Sequence, residues 1–268
     1  MTKEVFQNKI WNHYYQSGRK LPWRTTKNPY RILVSEIMLQ QTQVDRVVPK
    51  YKNFLKTFPT LEALAKASLK EVLVCWQGLG YNRRAKMLHE TAVRVMEVHG
   101  GKIPKTKEAL IKLPGIGDYT AGAICVFAYN TSEVLIETNV RSVYIHFFFK
   151  KSESVSDTEI RACVRKTQDV ANPREWYYAL MDYGSMLKKE GNPSRKSKYY
   201  TKQSTFKDSD RQIRGSILKT VLESSGGITE LKLLQTLDLY EKSRIRTQLK
   251  ALQGEGFVKN YRKKICVT

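Results

Sequence analysis

The stretch Leu113 to Ile124, LPGIGDYTAGAI, restricts the folds open to this chain more than any other. Pro114, Gly115 and Gly117 force a tight turn, and an Ala/Gly-rich helix starts directly behind it. With KTKEALIKL ahead of it as a second helix, the segment reads as helix–hairpin–helix. Free N–H groups at such a turn and at the following helix N-terminus can grip a phosphate without reading a base. A Gly-rich connection between two packed helices would use the same residues with no ligand. The L-P-G-x-G form favours the phosphate, with Leu113, Gly115 and Gly117 as candidate contacts.

The remainder of residues 1–200 is predicted to be mainly helical. Apolar residues fall at three/four spacing over Tyr51–Phe58, Leu61–Leu69, Leu73–Trp76 and Arg84–His99, between short Gly, Pro or Thr breaks. Thr60, after Pro59, and Ser156 are expected N-caps. From Lys188 to Lys207 the chain turns polar and basic, KKEGNPSRKSKYYTKQSTFK, as a loop or linker would. Its Tyr199, Tyr200 and Phe206 among cations suit a phosphate backbone, though a solvated linker would look similar.

Residues 211–268 have a pattern of their own. Three helical sets, Ile213/Ile217/Val221, Leu231/Leu234/Leu237 and Ile245/Leu249/Leu252, precede GEGFVKNYRKKICVT, which predicts two short strands about a basic turn. Three helices and a hairpin make the winged-helix pattern. Lys242, Arg244, Arg246 and Lys250 mark a candidate DNA-facing side of its third helix. Winged helices also dock proteins.

Charge narrows the partner. Against 25 Asp and Glu stand 47 Lys and Arg, a net charge of +22. That excess points to a polyanion, and nucleic acid fits best because the cations are not gathered in one amphipathic helix. No apolar run approaches the roughly 20 residues that span a bilayer, and the amphipathic start MTKEVFQNKIWNHYY does not read as a signal peptide. Cys75, Cys125, Cys163 and Cys266 are too scattered for a metal site or a disulfide framework, as in a reduced intracellular protein.

Within the helical region, Ser35 to Val44, SEIMLQQTQV, sets a carboxylate and three glutamines into an apolar run. On one continuous helix Leu33, Ile37, Val44 and Val48 form an apolar stripe, with Glu36, Gln40, Gln43 and Val47 beside it. A carboxyl beside a buried face should have a raised pKa, which suits a general acid near neutrality. A capped or ion-paired helix carboxylate is the plainer alternative.

LPWRTTKNPYRILVSEIMLQQTQV, WQGLGYNRRAKMLH, HGGKIPKTKEALIKLPGIGDYTAGAI and NVRSV together resemble, in order and spacing, the MutY-type adenine DNA glycosylases of the helix–hairpin–helix superfamily. The resemblance runs from about Leu21 to Val143, and more loosely to Met186. It implies an all-α fold of two helical lobes around a DNA-binding cleft, here followed by the winged-helix-like unit. The helix–hairpin–helix lobe is expected over 27–132, the other lobe over 1–26 and 133–205, and the last unit over 206–268.

The resemblance also implies roles. Such enzymes extrude a nucleotide to reach its base. Glu36 matches the acid that protonates adenine, and Gln40 and Gln41 match residues entering the helix near the extruded base or its partner. Tyr81 of GLGYNRR matches the family's wedging aromatic, and Arg83 beside it is a further candidate DNA contact. Glu137 in IETNV stands where the family has the aspartate that steadies the sugar cation, with Asn139 retained. The extra methylene moves that carboxylate by about one bond, enough to matter to a rate. Tyr119 stands where lyase-active relatives such as endonuclease III carry a Schiff-base lysine, so strand cleavage through an imine is not expected.

Lys188, Arg195 and Lys198 align with the first three cysteines of the family's iron–sulfur loop. The expectation is no cluster, no other metal, and basic side chains in contact with DNA in its place. The family's 8-oxoguanine-sensing C-terminal domain is expected to be missing, with the winged-helix-like unit in its place. The expected activity is hydrolysis of the N-glycosidic bond of an adenine opposite 8-oxoguanine or guanine, by a monomer acting on mismatched duplex DNA in the nucleoid. Rival readings are a thymine or uracil mismatch glycosylase and a non-catalytic DNA-binding regulator.

Overall fold

The computed structural model describes residues 1–202 and 205–268, so two positions of the expected linker lie outside the described residues. The chain is helical up to a terminal hairpin, and no described helix is long and apolar enough to cross a membrane.

Capping residues set most boundaries. Thr2 caps α1 (Lys3–Ser17), and α2 (Pro29–Leu39) follows a loop. Next come α3 (Val44–Thr57), α4 (Leu61–Lys66) with Thr60 Oγ1 on the Ala63 amide at 3.1 Å, and α5 (Leu69–Trp76) behind a Ser68/Glu71 capping box. Helix α6 (Arg83–His99) stops at Gly100 in the left-handed conformation. The hairpin follows as α7 (Lys107–Ile111) and α8 (Asp118–Tyr129). Then come α9 (Thr138–Phe148), α10 (Asp157–Thr167) behind a Ser156/Glu159 capping box, and α11 (Pro173–Glu190). A 3-10 turn, Pro193–Lys196, leads out. The C-terminal part is α12 (Asp210–Glu223), α13 (Glu230–Thr236), α14 (Lys242–Gly254), β1 (Val258–Tyr261) and β2 (Lys264–Val267).

Packing divides these elements into two compact units. The first is Met1–Ile37 with Ile103–Lys202, and the second is Met38–Lys102 with Gln203–Thr268. This differs from the expected boundaries. Residues 27–37 and 103–132 fall with the first unit, and 206–268 share a unit with 38–102 instead of standing apart. Side chains explain the second difference: the Lys86 ammonium donates to the Glu255 carbonyl and lies 5.5 Å from the Phe257 ring centroid.

In the first unit α1, α9 and α11 share a core of Phe6, Ile10, Val140, Tyr144, Trp176 and Leu180. Phe6 meets Trp176 edge-on, centroids 5.8 Å apart. Helix α11 lies directly against the start of α9 because of Gly184, where a Cβ would sit 2.3 Å from the Asn139 carbonyl oxygen. In the second unit Val47, Phe54, Leu64, Trp76 and Leu88 are buried in one set of helices. Ile213, Ile217, Ile245, Leu252 and Phe257 are buried in the winged-helix part, where Ile228 pairs with Ile265 beside the antiparallel hairpin.

One expected periodicity is corrected. The stripe through Leu33, Ile37, Val44 and Val48 does not exist, because the helix stops at Leu39 and a new one begins at Val44. Gln41 turns the chain at φ +53°, the phase resets, and Val47 is buried instead of Val48.

Candidate active site and nucleic-acid interface

Five side chains of the first unit form one electrostatic group: Glu36, Tyr119, Glu137, Tyr178 and Lys188. Glu36 follows Ile32, Leu33, Val34 and Ser35 on α2, all buried, and is itself 8% exposed. Burial, and then the charge of Glu137, push its carboxyl up to about 8. Glu36 is therefore mostly protonated at neutral pH, a carboxylic acid with a proton to give.

Glu137 is fixed by the helix it starts. As N-cap of α9 it accepts from the Asn139 and Val140 amides through Oε1, at 2.8 and 2.9 Å. Its Oε2 accepts from Asn139 Nδ2 at 3.1 Å. Aspartate is a favoured N-cap, whereas this glutamate folds back to reach the same amides. The longer side chain thus makes the N-cap bonds of α9 itself. The lack of a side chain at Gly184 lets α11 approach the Asn139 backbone closely.

Tyr119, half-buried in the first turn of α8, has its phenol raised well above the ordinary value by burial, then by Glu36 and Glu137. It remains a neutral hydroxyl. Tyr178 was not singled out from sequence, because it falls on the apolar phase of α11. Its ring stacks on Phe127, centroids 4.7 Å apart, and lies 4.6 Å from the Arg24 guanidinium. Burial and then Glu36 raise its hydroxyl too. Arg24 reaches Asp182 at 2.7 and 2.8 Å, and Arg19 reaches it at 2.5 Å. Burial alone would raise the Asp182 carboxyl, but bonds from Arg24 and then Arg19 hold it below its usual value.

Lys188 changes place relative to expectation. It belongs to the last turn of α11, not to the loop, and is half-buried. Burial lowers its ammonium pKa, attraction to Glu137 opposes this, and Arg19 adds to the lowering. Arg195 and Lys198 are exposed on the loop beyond, where Val155 pairs with Ser197. At the hairpin Leu113 is buried, 5% exposed. Gly115 turns at φ +70°, Gly117 is the N-cap of α8, and no side chain caps that helix.

The second unit holds the other expected contacts. Gln40 and Gln41 occupy the break after α2, and Tyr81 closes the loop before α6. Arg83 is exposed. Its neighbour Arg84, not singled out from sequence, ties both loops together. Arg84 Nη1 donates to the carbonyls of Met38 at 2.9 Å and Gln40 at 2.6 Å. Arg84 Nη2 donates to Thr42 Oγ1 at 3.0 Å and to the Leu79 and Gly80 carbonyls at 3.4 and 3.1 Å. Burial lowers its pKa to about 10, which leaves it charged at neutrality.

Residues 34–172 match the family described as HhH-GPD superfamily base excision DNA repair protein, and the chain belongs to that family. An adenine DNA glycosylase of Buchnera aphidicola subsp. Baizongia pistaciae is 38% identical over 198 residues, 72% of this chain and 56% of that one. The chain thus spans little more than half of that relative. An adenine DNA glycosylase of Mycobacterium tuberculosis is 30% identical over 289 aligned positions, 91% of this chain and 92% of that one. The solved structure of a thermostable thymine-DNA glycosylase superposes with a TM-score of 0.64 at 26% identity, covering 74% of this chain and 96% of that one.

An iron–sulfur cluster of the kind the resemblance implies does not fit the residues present. It needs thiolate ligands, and the segment that would supply them carries Lys188, Arg195 and Lys198. Cys75, Cys125 and Cys163 lie in α5, α8 and α10, and Cys266 lies in β2. Among the described residues no group of three or more His, Cys, Asp and Glu could hold a metal ion.

Proposed function

We propose that the protein is a monofunctional DNA glycosylase that hydrolyses the N-glycosidic bond of adenine mispaired with 8-oxoguanine or guanine. The observation that carries this reading is Glu36, a buried carboxyl kept protonated near neutrality and electrostatically coupled to a second carboxylate fixed on a helix N-terminus. In the reaction Glu36 gives its proton to the extruded adenine, and the C1′–N bond breaks with its electron pair leaving on the base. The Glu137 carboxylate faces the positive charge that develops on the sugar. Water adds at C1′ and its proton returns to the carboxylate pair, leaving an abasic site and free adenine. Tyr119 cannot form an imine, so the strand stays intact.

On this reading the uncapped start of α8 and the backbone at Leu113, Gly115 and Gly117 hold a phosphate, and Arg83, Arg195 and Lys198 add surface charge. Gln40, Gln41 and Tyr81 enter the duplex. Lys242 and Lys250 on α14 are exposed, whereas Arg244 and Arg246 pair with Asp210 and Glu230 at 2.7 and 2.8 Å. The catalytic cycle needs no iron–sulfur cluster, and the purified protein should be colourless, with iron well below stoichiometric.

A panel of duplexes with one mismatch each, scored for alkali-labile breaks, tests the activity. Cleavage at adenine opposite 8-oxoguanine or guanine is expected. The likeness to the thymine-DNA glycosylase favours thymine opposite guanine as the second reading, and breaks confined to that substrate would select it. No cleavage across the panel would favour a DNA-binding regulator.

A further inference from the structure

Tyr81 stands in a backbone conformation uncommon for a bulky residue, φ +48°, at the end of a loop that turns through Gly78 at +86° and Gly80 at +72°. The loop backbone is pinned from within: Arg46 donates to the Gly78 carbonyl, and Trp76 Nε1 and Arg84 Nη2 both reach the Gly80 carbonyl at 3.1 Å. Bonds to carbonyls fix where the Cα of Tyr81 sits, but not which way its ring points.

The ring and its hydroxyl are contacted from a distant part of the chain. Arg211, in the first turn of α12, donates through Nη1 to the Tyr81 hydroxyl, and its guanidinium lies 5.5 Å from the ring centroid. The Arg84 guanidinium also lies 5.5 Å from that centroid. Arg211 is itself steadied by the Thr205 carbonyl at 3.4 Å. Helix α12 is seated by Arg214, paired with Glu255 at 2.7 Å, and the Glu255 carbonyl accepts from Lys86 on α6. A groove of about 850 Å³ beside Tyr81 is lined by Arg46, Lys50, Arg211 and Lys219, with no carboxylate among its described lining residues. Four cations and no acid make this a face for a phosphate backbone.

We propose that Arg211 is a positioning residue for Tyr81, so that the C-terminal module orients the side chain that wedges into the duplex. The module then acts on base extrusion in cis, beyond any contact of its own with DNA. The inference rests on the reading of Tyr81 as the wedge.

The test is a double-mutant cycle on the full chain with Arg211→Ala, Tyr81→Phe and both together. Two measurements are made on each: single-turnover release of adenine from a mismatched duplex, and fluorescence of 2-aminopurine placed in the mismatch, which brightens on unstacking. Tyr81→Phe keeps the ring and net charge but loses the hydroxyl, so duplex affinity should hold while release slows roughly tenfold, the scale of one charge-assisted hydrogen bond. Arg211→Ala should slow release similarly, and the double variant should be no slower than the slower single one. Native release and native unstacking by Tyr81→Phe, or single effects that multiply, would overturn the proposal. If Arg211→Ala fails to fold, Tyr81→Phe carries the test, since it removes the same bond and leaves α12 intact. If the native protein releases no adenine, the proposed activity fails, while the fluorescence still reports whether the hydroxyl governs unstacking.

Discussion

Glu36 and Arg84 are both ionisable groups withdrawn from water, and they are kept in opposite ways. Glu36 in the first unit is surrounded by apolar helix and by the field of Glu137, so it gives up its charge. Arg84 in the second unit keeps its charge, because two loops turn five oxygen acceptors toward it. A buried ion costs free energy unless it is paired or neutralised. Neutralising leaves a group whose charge can still change, the requirement for proton transfer. Surrounding the two terminal nitrogens with acceptors leaves a group that cannot change without the loops coming apart. The first site is therefore suited to chemistry and the second to shape.

The largest effect should come from taking the proton away. Glu36→Gln keeps size and polarity but has no acidic proton, and base release should fall by roughly 10²–10⁴-fold, the usual worth of a general acid. Duplex affinity should stay near native. Turnover by this variant comparable with the native rate would remove Glu36 from the mechanism.

Next is the source of the field. Glu137→Ala should slow single-turnover release by roughly 10²–10³-fold, as for other charges aimed at a transition state. The same variant should bring the Glu36 carboxyl down toward its ordinary value, shifting the alkaline limb of the pH–rate profile to lower pH. Glu137→Asp separates charge from reach. The cap is built around the longer side chain, so the aspartate variant should be slower than native. A native rate from Glu137→Ala would show that this carboxylate is not the second catalytic group.

Stability should answer to Glu36 with the opposite sign from activity. Its carboxyl ordinarily ionises near 4.5 and is raised to about 8 in the folded chain, so folding takes up a proton between these values. Below 4.5 both states are protonated and the group costs nothing. As pH rises toward 8 the unfolded state gains by ionising, and native stability is lost progressively. Glu36→Gln removes that penalty. Its melting temperature should match native in acid and exceed it by a margin that grows up to pH 8. A pH-independent difference would mean that Glu36 does not titrate across this range.

The Glu36 side of this contrast was legible in the sequence, whereas most of what was missed depends on contacts between distant residues. Thr60 and Ser156 were readable as caps because an N-cap needs only one hydroxyl before an amphipathic run, and both cap. The hairpin at Leu113–Gly117 and the winged-helix order followed from Gly positions and apolar spacing, which act over a few residues. The setting of Glu36 followed from its apolar neighbours. The break at Gln40–Gln43 was missed because it contains neither Gly nor Pro, and what stops the helix there is Arg84 gathering carbonyls from residues 46 and 44 positions earlier. Choosing between Arg83 and Arg84 required the phase of α6. Leu88, four residues after Arg84, is buried, and that spacing was the available signal. Lys188 was assigned to the loop on composition, although α11 continues through it. The placement of residues 206–268 with 38–102 rests on Lys86–Glu255 and Arg211–Tyr81, pairs separated by 169 and 130 residues, which no local pattern encodes.

The smallest effect should come from Arg84→Lys, which keeps the charge and alters only its shape. A guanidinium is a planar fork that can serve several carbonyls at once, while an ammonium is a compact donor on a flexible stem. Lysine at 84 could hold some of the five acceptors but not both loops in their present register. The cost should be about 1–3 kcal/mol, that of leaving one or two buried carbonyls unmet. It should appear as a lower urea midpoint with an unchanged slope, since the fold is kept. Because Arg84 stays charged until about pH 10, the loss should be flat across the window in which Glu36 titrates. Base release should slow modestly as well, because Gly80 and hence Tyr81 lose an anchor. A native urea midpoint in Arg84→Lys would show that charge alone holds the two loops. A loss that varied with pH as the Glu36→Gln difference does would join the two groups into one titrating system and end the contrast between them.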